Sequence, residues 1–199
     1  MTDDTCAATD LASANLASVS TESFPQILSR NGISLAVSTY QAGKVILIRS
    51  EASDTDGGVA LNTHFRDFEK PMGMAASGNR LTIGGKKTVW EMRDMPVVAR
   101  KLEPVGKHDS CYVPRSIHIT GDIDIHEMSW GLKPESDQDE LWIVNTRFCC
   151  LCTLDIDHSF RPRWRPFFVS AYAPEDRCHL NGLASVSYTH LTLPTILLV

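Results

Sequence analysis

The sequence predicts an all-β protein, and more specifically a β-propeller. Short apolar segments with strand-like spacing run through almost the whole chain, and turn signals separate them. Similar segments also recur: Gly73 and Glu127 are 54 residues apart, and Glu127 and Gly182 are 55 apart. A period of this length without intervening helices is typical of propeller blades. A β-sandwich is the main alternative, because it also consists of many short strands and turns.

The individual elements follow from local patterns. The only helical signal is a short turn near Ser23 to Ser29. Two strand-like segments flank a turn in three places, each of which predicts a hairpin. These hairpins are residues 34–48 around Tyr40–Gly43, residues 81–90 around Gly84–Lys87, and residues 141–154 around Thr146 and Arg147.

The repeat aligns three strand starts, at residues 71–75, 125–129 and 180–184. Met72, His126 and Asn181 then occupy equivalent positions. In a propeller, equivalent positions of the innermost strands converge around the central channel. His126 and Asn181 are therefore expected to face one pocket.

The segment from His118 to Glu127 is the richest in chemistry. Polar and apolar residues alternate, so an unbroken strand would place five polar side chains on one face. Thr120 to Asp122 is alternatively a turn between two strands. Asp124 and His126 share a face in either case. The segment forms either a solvated or internally hydrogen-bonded polar face, or a metal or acid–base site, for which imidazole and carboxylate are suitable.

Composition excludes some classes of partner. The 199 residues carry a formal charge of −5 without runs of like charge, which argues against nucleic acid and membrane surfaces. Arg161, Arg163 and Arg165 form the only dense basic group. They predict either an exposed strand edge or a clamp for an anion.

The six cysteines are expected to be thiols, because the sequence has no export signal. Cys149 and Cys152 form a C-x-x-C pair, but residues three apart on a strand point to opposite faces. Buried core residues are therefore the better interpretation, with a redox or zinc site as the alternative. These features predict a soluble cytoplasmic protein.

Three regions are expected along the chain. Residues 1–22 are a polar tail without order, and residues 23–185 form a partial propeller. Val186 to Thr195 reads as an in-frame translation of a transposase-type sequencing adapter, so residues 186–199 are expected not to be native. About three blades then fit in a ring that would hold about six when complete.

Long motifs resemble a bacterial family of conserved hypothetical proteins described as a domain of unknown function. They are Thr120–Met128 (TGDIDIHEM), Asn145–Asp155 (NTRFCCLCTLD), Pro162–Pro166 (PRWRP) and Pro174–Ala184 (PEDRCHLNGLA). The resemblance implies a propeller-like fold and members that continue beyond Ala184. It implies no particular activity.

A second resemblance covers only Asn181 to Ala184. This Asn-Gly-Leu-Ala is similar to a motif of lactonase-type six-bladed propellers, in which the asparagine binds a central calcium ion. The resemblance implies a divalent metal such as calcium with Asn181 as a ligand, and the repeat alignment adds His126 as a second candidate ligand. Asn-Gly is also an ordinary turn dipeptide.

Two functions are consistent with these patterns, and whether the protein is an enzyme stays open. The first is a binding module for a small polar ligand or a protein. The alternative is a metal-dependent hydrolase or lactonase with its site on the propeller axis. A third, structural interpretation makes Asn145, Arg147 and Asp176 contacts between blades. The candidate ligand-binding residues are Asp124, His126, Glu127, Asn145, Arg147, Asp176, Arg177, His179 and Asn181.

Overall fold

The computed structural model describes residues 18–53, 57–133, 136, 138–185 and 191–192. Nearly all regular structure in these residues is antiparallel β-sheet, so the all-β prediction is confirmed. The described residues form two compact units: one within residues 18–37 and 46–65, and the other within residues 38–45 and 66–192. The candidate site lies in the second unit.

The first elements are a helix and three strands. Their bounds are α1 Ser23–Asn31, β1 Leu35–Thr39, β2 Lys44–Ala52 and β3 Val59–Asp67, with the strand order β1-β2-β3. Gly32 ends the helix in a left-handed conformation (φ 58°). Ile33 N–H donates to the Leu28 carbonyl at 3.1 Å, as is common where glycine follows a helix.

The second sheet is a four-stranded meander. It consists of β4 Met74–Ser77, β5 Arg80–Gly84, β6 Thr88–Asp94 and β7 Tyr112–Ile119, in that order. A short helix, α2 Pro96–Ala99, connects β6 to β7. The sheet contains the predicted hairpin at residues 81–90, whose turn is closed by a 2.8 Å bond from Gly85 N–H to the Thr88 carbonyl.

The third sheet repeats this meander. It consists of β8 Ile125–Leu132, β9 Asp139–Asn145, β10 Cys150–Thr153 and β11 Arg161–Trp164. The hairpin predicted at residues 141–154 joins β9 to β10. Two further short strands, β12 Ala184–Ser185 and β13 Leu191–Thr192, pair with each other.

The residues between β7 and β8 form a turn, and the alternative of one unbroken strand from His118 to Glu127 is therefore wrong. The strand ends at Ile119 and the next begins at Ile125. Gly121 (φ 69°) and Asp124 (φ 54°) both adopt the left-handed conformation, which extended strands do not contain.

The backbone carries the same repeat as the sequence. Lys70 (φ 47°), Asp124 (φ 54°) and His179 (φ 45°) are left-handed, and each lies two residues before one of the aligned positions Met72, His126 and Asn181. Gly121 and Asp176 (φ 48°) form a second matched pair. A left-handed residue that is not glycine is uncommon, so this coincidence is strong structural support for the repeat.

The second and third sheets pack closely at two glycines. A Cβ atom built on Gly73 would lie 2.9 Å from Ile125 Cγ2, and one on Gly84 would lie 2.8 Å from the same atom. Both distances are too short for a real contact. Ile125 belongs to the main buried cluster, with Ile123, Met128, Ile143 and others. Glycine therefore lets the two sheets approach.

The described cysteines are buried or half-buried thiols. Cys149, Cys150 and Cys152 are at most 1% exposed, and the five cysteines in the described residues are free. The interpretation of Cys149 and Cys152 as core residues agrees with this burial. Cys6 lies outside the described residues.

Arg161 and Arg163 lie on the edge strand β11, and Arg165 follows it. The side chain of each arginine contacts another side chain of this protein. Arg161 pairs with Asp155 at 2.6 Å, and Arg163 pairs with Glu140 at 3.4 Å. The Arg165 guanidinium lies over the Tyr172 ring at 5.3 Å. These partners favour the strand-edge interpretation over the anion clamp.

Neither helix in the described part of the chain is long and apolar enough to cross a bilayer.

Candidate functional site

Three loops meet at the site, and we call them the loop cluster: residues 120–124 before β8, residues 146–149 between β9 and β10, and residues 176–181 before β12. Backbone bonds hold them together. Thr146 N–H donates to the Asp124 carbonyl at 3.2 Å, and Asp176 N–H donates to the Arg147 carbonyl at 2.9 Å. The Thr146 hydroxyl donates to the Leu180 carbonyl at 2.6 Å. The hairpin 146–149 thus connects the two other loops.

His126 lies at the centre of the loop cluster. Its Nδ1–H donates to Asn181 Oδ1 at 2.9 Å, and its Nε2 lies 3.6 Å from Asp124 Oδ2. The His126 side chain is only 9% exposed. The structure thus brings together two residues that are 55 positions apart, with a carboxylate next to the imidazole.

His179 forms a second polar pair beside His126. Its Nδ1–H donates to Asp176 Oδ2 at 2.6 Å, and the two imidazole rings meet edge to face with centroids 4.8 Å apart. The His179 side chain is 58% exposed. Because Nδ1–H donates to the carboxylate, Nε2 is the ring nitrogen left to contact a ligand.

A small pocket adjoins the loop cluster through Asp124, and we call it the polar pocket. Its volume is about 70 Å³, and its lining is Tyr40, Lys70, Gly85, Lys86, Asp122, Asp124, Ile125 and Arg147. Arg147 pairs with Asp122 at 3.1 Å, and the Lys70 ammonium lies 5.2 Å from the centre of the Tyr40 ring. Three cations and two carboxylates therefore share one cavity.

The side chains of three of the residues predicted from the sequence bind partners outside this arrangement. Asn145 is fully buried, and its Oδ1 accepts the Phe148 N–H at 3.0 Å in the β9–β10 hairpin. Glu127 Oε1 accepts the N–H of Met128. Arg177 donates to Glu175 at 2.7 Å and to Ser170 at 2.8 Å. Asn145 thus has a structural contact within the hairpin, and its assignment as a ligand-binding residue stays a prediction.

Cys178 lies in the loop cluster between Arg177 and His179. Burial, followed by its hydrogen bond with Cys149, raises the pKa of the Cys178 thiol to about 11. A thiol with this pKa is protonated at neutral pH, and the thiolate is the nucleophile. The raised pKa does not favour Cys178 as a nucleophile.

The predicted metal ligands do not form a complete coordination set. Nδ1 of His126 and Oδ1 of Asn181 bind each other. Within the described ranges, no group of three or more His, Cys, Asp or Glu side chains has the arrangement to hold a metal ion. The donors present do not fit a calcium site, which needs about six to eight oxygen ligands.

The sequence reasoning missed Lys70, Lys86, Tyr40 and Asp122 as site residues. Lys70 could have been found from the repeat, because it precedes Met72 as Asp124 precedes His126. Lys86 also has an equivalent: its N–H donates to the Glu69 carbonyl at 2.8 Å, as Arg147 N–H donates to the Ile123 carbonyl at 3.2 Å. Each carbonyl belongs to the residue just before a left-handed position. For Tyr40 the sequence offered no signal beyond its turn.

Comparison with known proteins gives one match. The family model described as "Domain of unknown function (DUF4915)" matches residues 22–192. No curated protein and no solved structure matches the chain at a significant level. The matched range ends within the segment 186–199, and the adapter origin of that segment stays a prediction. Residues 186–190 and 193–199 lie outside the described residues.

Proposed function

The chain belongs to this family of unknown function, and from the geometry of its candidate site we propose that it is a binding module for a small polar ligand. The ligand binds at the loop cluster and the adjoining polar pocket. Imidazole, carboxylate, amide, ammonium and guanidinium groups all lie here within one connected region. A few convergent polar groups beside a concave surface are typical of ligand sites.

The observation that carries this proposal is the strained backbone of Lys70, Asp124 and His179. A residue other than glycine in the left-handed conformation costs on the order of 1–3 kcal/mol. Glycine would adopt the same conformation at no such cost. Each of these positions instead presents a polar or charged side chain to the polar pocket or the loop cluster. Strain of this kind concentrates at binding sites and active sites.

The proposal includes the architecture: the second and third sheets are adjacent blades of a β-propeller. Both are four-stranded meanders, and the loops before their first strands share the left-handed positions of the repeat. Close packing of Gly73 and Gly84 against Ile125 supports face-to-face contact of the two sheets. In a propeller, the loop cluster would then lie at one end of the central channel.

A titration followed by NMR tests the binding function. The isotope-labelled full chain is titrated with amino acids, hydroxy acids, sugars, sugar phosphates and nucleosides as separate groups. We expect one group to cause saturable shifts of the His126, Arg147 and His179 amide signals. Asn181→Ala should weaken that binding, because Asn181 is exposed and orients His126.

The matched control is His158→Ala. Like His179, His158 donates its Nδ1–H to an aspartate three residues earlier, in this case Asp155 at 2.9 Å. His158 lies on the loop between β10 and β11, outside the loop cluster. This variant should bind the active group like the wild type. If no group gives a saturable shift, or if Asn181→Ala binds as tightly as His158→Ala, the binding function is rejected.

Hydrolysis is the second candidate function, and the Asp176–His179 pair favours it. A carboxylate that accepts the Nδ1–H of a histidine fixes its orientation and stabilises the protonated ring, so Nε2 can act as a general base. No step through a metal ion follows from the donors present. Hydrolysis of δ-valerolactone should then fall about 100-fold or more in His179→Ala and stay unchanged in His158→Ala. Equal rates in both variants would contradict this candidate.

A further inference from the structure

We infer that the polar pocket binds the head group of a small zwitterion, such as an α-amino acid. The carboxylate would lie among Lys70, Lys86 and Arg147, and the ammonium group would lie at Asp122 and Asp124. This inference rests on the proposed binding function and names the ligand class of that site.

The repeat brings the cations of the pocket together. Lys86 and Arg147 occupy corresponding hairpin positions in the second and third sheets, as their matching backbone bonds to Glu69 and Ile123 indicate. Their side chains are 32% and 39% exposed, so both are partly screened from water. Partial burial strengthens the attraction between these cations and an anionic group.

Two of these cations, Arg147 and Lys70, have N–H groups that could still donate a hydrogen bond to a ligand. One terminal nitrogen of Arg147 forms an ion pair with Asp122 Oδ1 at 3.1 Å, but its Nε is shielded from solvent and has no acceptor among the described residues. Lys70 has no carboxylate within 4.0 Å in that part of the chain, and its ammonium lies over the Tyr40 ring. A buried donor without a partner is costly, and a ligand oxygen would satisfy it.

The carboxylates of the pocket decide between a zwitterion and a simple anion. Asp122 and Asp124 line the same cavity as the three cations. A phosphate or a dicarboxylate would place additional negative charge against these aspartates, and a simple amine would meet the lysines. A molecule with one negative and one positive group close together complements both sets.

The size of the pocket agrees with a head group of a few atoms. Its volume is about 70 Å³. A water molecule needs roughly 10–15 Å³ of cavity, so a carboxylate with the neighbouring carbon and nitrogen can be accommodated. The remaining part of the ligand would extend out of the pocket, where Asp124 leads to His126 and Asn181.

The test compares L-alanine with two molecules that each lack one of its two charged groups. The full chain is titrated by NMR with L-alanine, with propionate, which lacks the amine, and with ethylamine, which lacks the carboxylate. We expect L-alanine to cause saturable shifts at Lys86, Asp122 and Arg147, with a Kd at least tenfold lower than that of either analogue. Lys86→Gln and Asp122→Asn should each raise the Kd for L-alanine at least tenfold.

Lys87→Gln is the control, because Lys87 is the exposed neighbour of Lys86 and does not line the pocket. It should bind L-alanine like the wild type. If propionate or inorganic phosphate binds as tightly as L-alanine, the pocket is an anion site, and if ethylamine does, it is a cation site. Either result overturns the inference.

Failure of the inference is distinguishable from failure of the proposed function. If L-alanine does not bind but a sugar or a nucleoside shifts the His126 signal, the zwitterion inference fails and the binding function stands. If no compound of any class shifts signals in the loop cluster or the polar pocket, both fail.

Discussion

His126 Nδ1 and Asn181 Oδ1 lie 2.9 Å apart although 55 residues separate them in the chain. Both residues follow a left-handed residue by two positions, Asp124 in one case and His179 in the other. The two loops therefore have matching backbone geometry, and a side-chain bond joins them. This contact between successive repeats organises the loop cluster.

The bond between His126 and Asn181 should be measurable in a double-mutant cycle. His126→Ala, Asn181→Ala and the double variant are unfolded in urea. We expect a coupling free energy of about 0.5–1.5 kcal/mol, the usual net contribution of one hydrogen bond. Additive effects of the two single substitutions would show that the bond does not form in solution.

The backbone strain at Lys70 should make glycine more stabilising than alanine at this position, which is the reverse of the usual order. At its φ of 47°, Lys70→Gly should be more stable than Lys70→Ala by about 1 kcal/mol, because only alanine retains a Cβ atom. The free energy of unfolding in urea gives this difference. At Lys87, which is not among the left-handed residues, alanine should be at least as stable as glycine. The same order at both positions would argue against the conformation of Lys70.

Sheet packing should depend on the absence of a side chain at Gly84. Gly84→Ala should destabilise the protein by about 1–3 kcal/mol, because its Cβ would lie 2.8 Å from Ile125 Cγ2. Ile125→Ala removes that methyl group, so in this background the substitution at Gly84 should cost much less. Urea unfolding of the four proteins measures the coupling. An equal cost in both backgrounds would mean that the two sheets do not meet at these residues.

Stability in acid should depend on Asp155. The hydrogen bond from His158, followed by that from the Asp157 backbone N–H, lowers the pKa of this carboxyl group from 3.8 to about 2. The carboxylate therefore stabilises the folded state above about pH 4, and this contribution is lost as the pH falls toward 2. The thermal midpoint of the wild type should fall more steeply across this window than that of Asp155→Asn.

Asp157→Asn is the control for this pH dependence, because its side chain belongs to the same loop and its backbone N–H to Asp155 is retained. It should follow the wild-type profile. If Asp155→Asn also follows that profile, the carboxylate of Asp155 does not stabilise the folded state through these bonds.

Part of the site could be predicted because the same repeat is present in the sequence and in the backbone conformation. The alignment of Met72, His126 and Asn181 indicated which residues lie at equivalent strand starts, and the structure brings His126 and Asn181 together. Applied two positions earlier, the same alignment would have identified Lys70 with Asp124 and His179.

The remaining features of the site depend on the directions of side chains in loops, which a strand pattern in the sequence does not specify. Asn145 ends a strand and was expected to contact a ligand, yet its side chain turns inward to bind Phe148 N–H. Arg177 was expected beside Asp176 and His179, but its guanidinium binds Glu175 and Ser170. Side-chain direction in such loops follows from individual φ values and local acceptors, which residue type alone does not specify.

The sequence by itself determined the strands, the hairpins and the period of the repeat, because alternation, glycine turns and fixed spacing are local properties of the chain. Only the tertiary structure decided that the chain turns at Gly121, that Lys70, Lys86 and Arg147 share a cavity with Asp122 and Asp124, and that Asn145 is buried. The turn at Gly121 and the direction of the Asn145 side chain follow from local φ values and hydrogen bonds, whereas the shared cavity arises from packing between repeats. There a contact such as Gly84 against Ile125 sets distances between residues far apart in the chain.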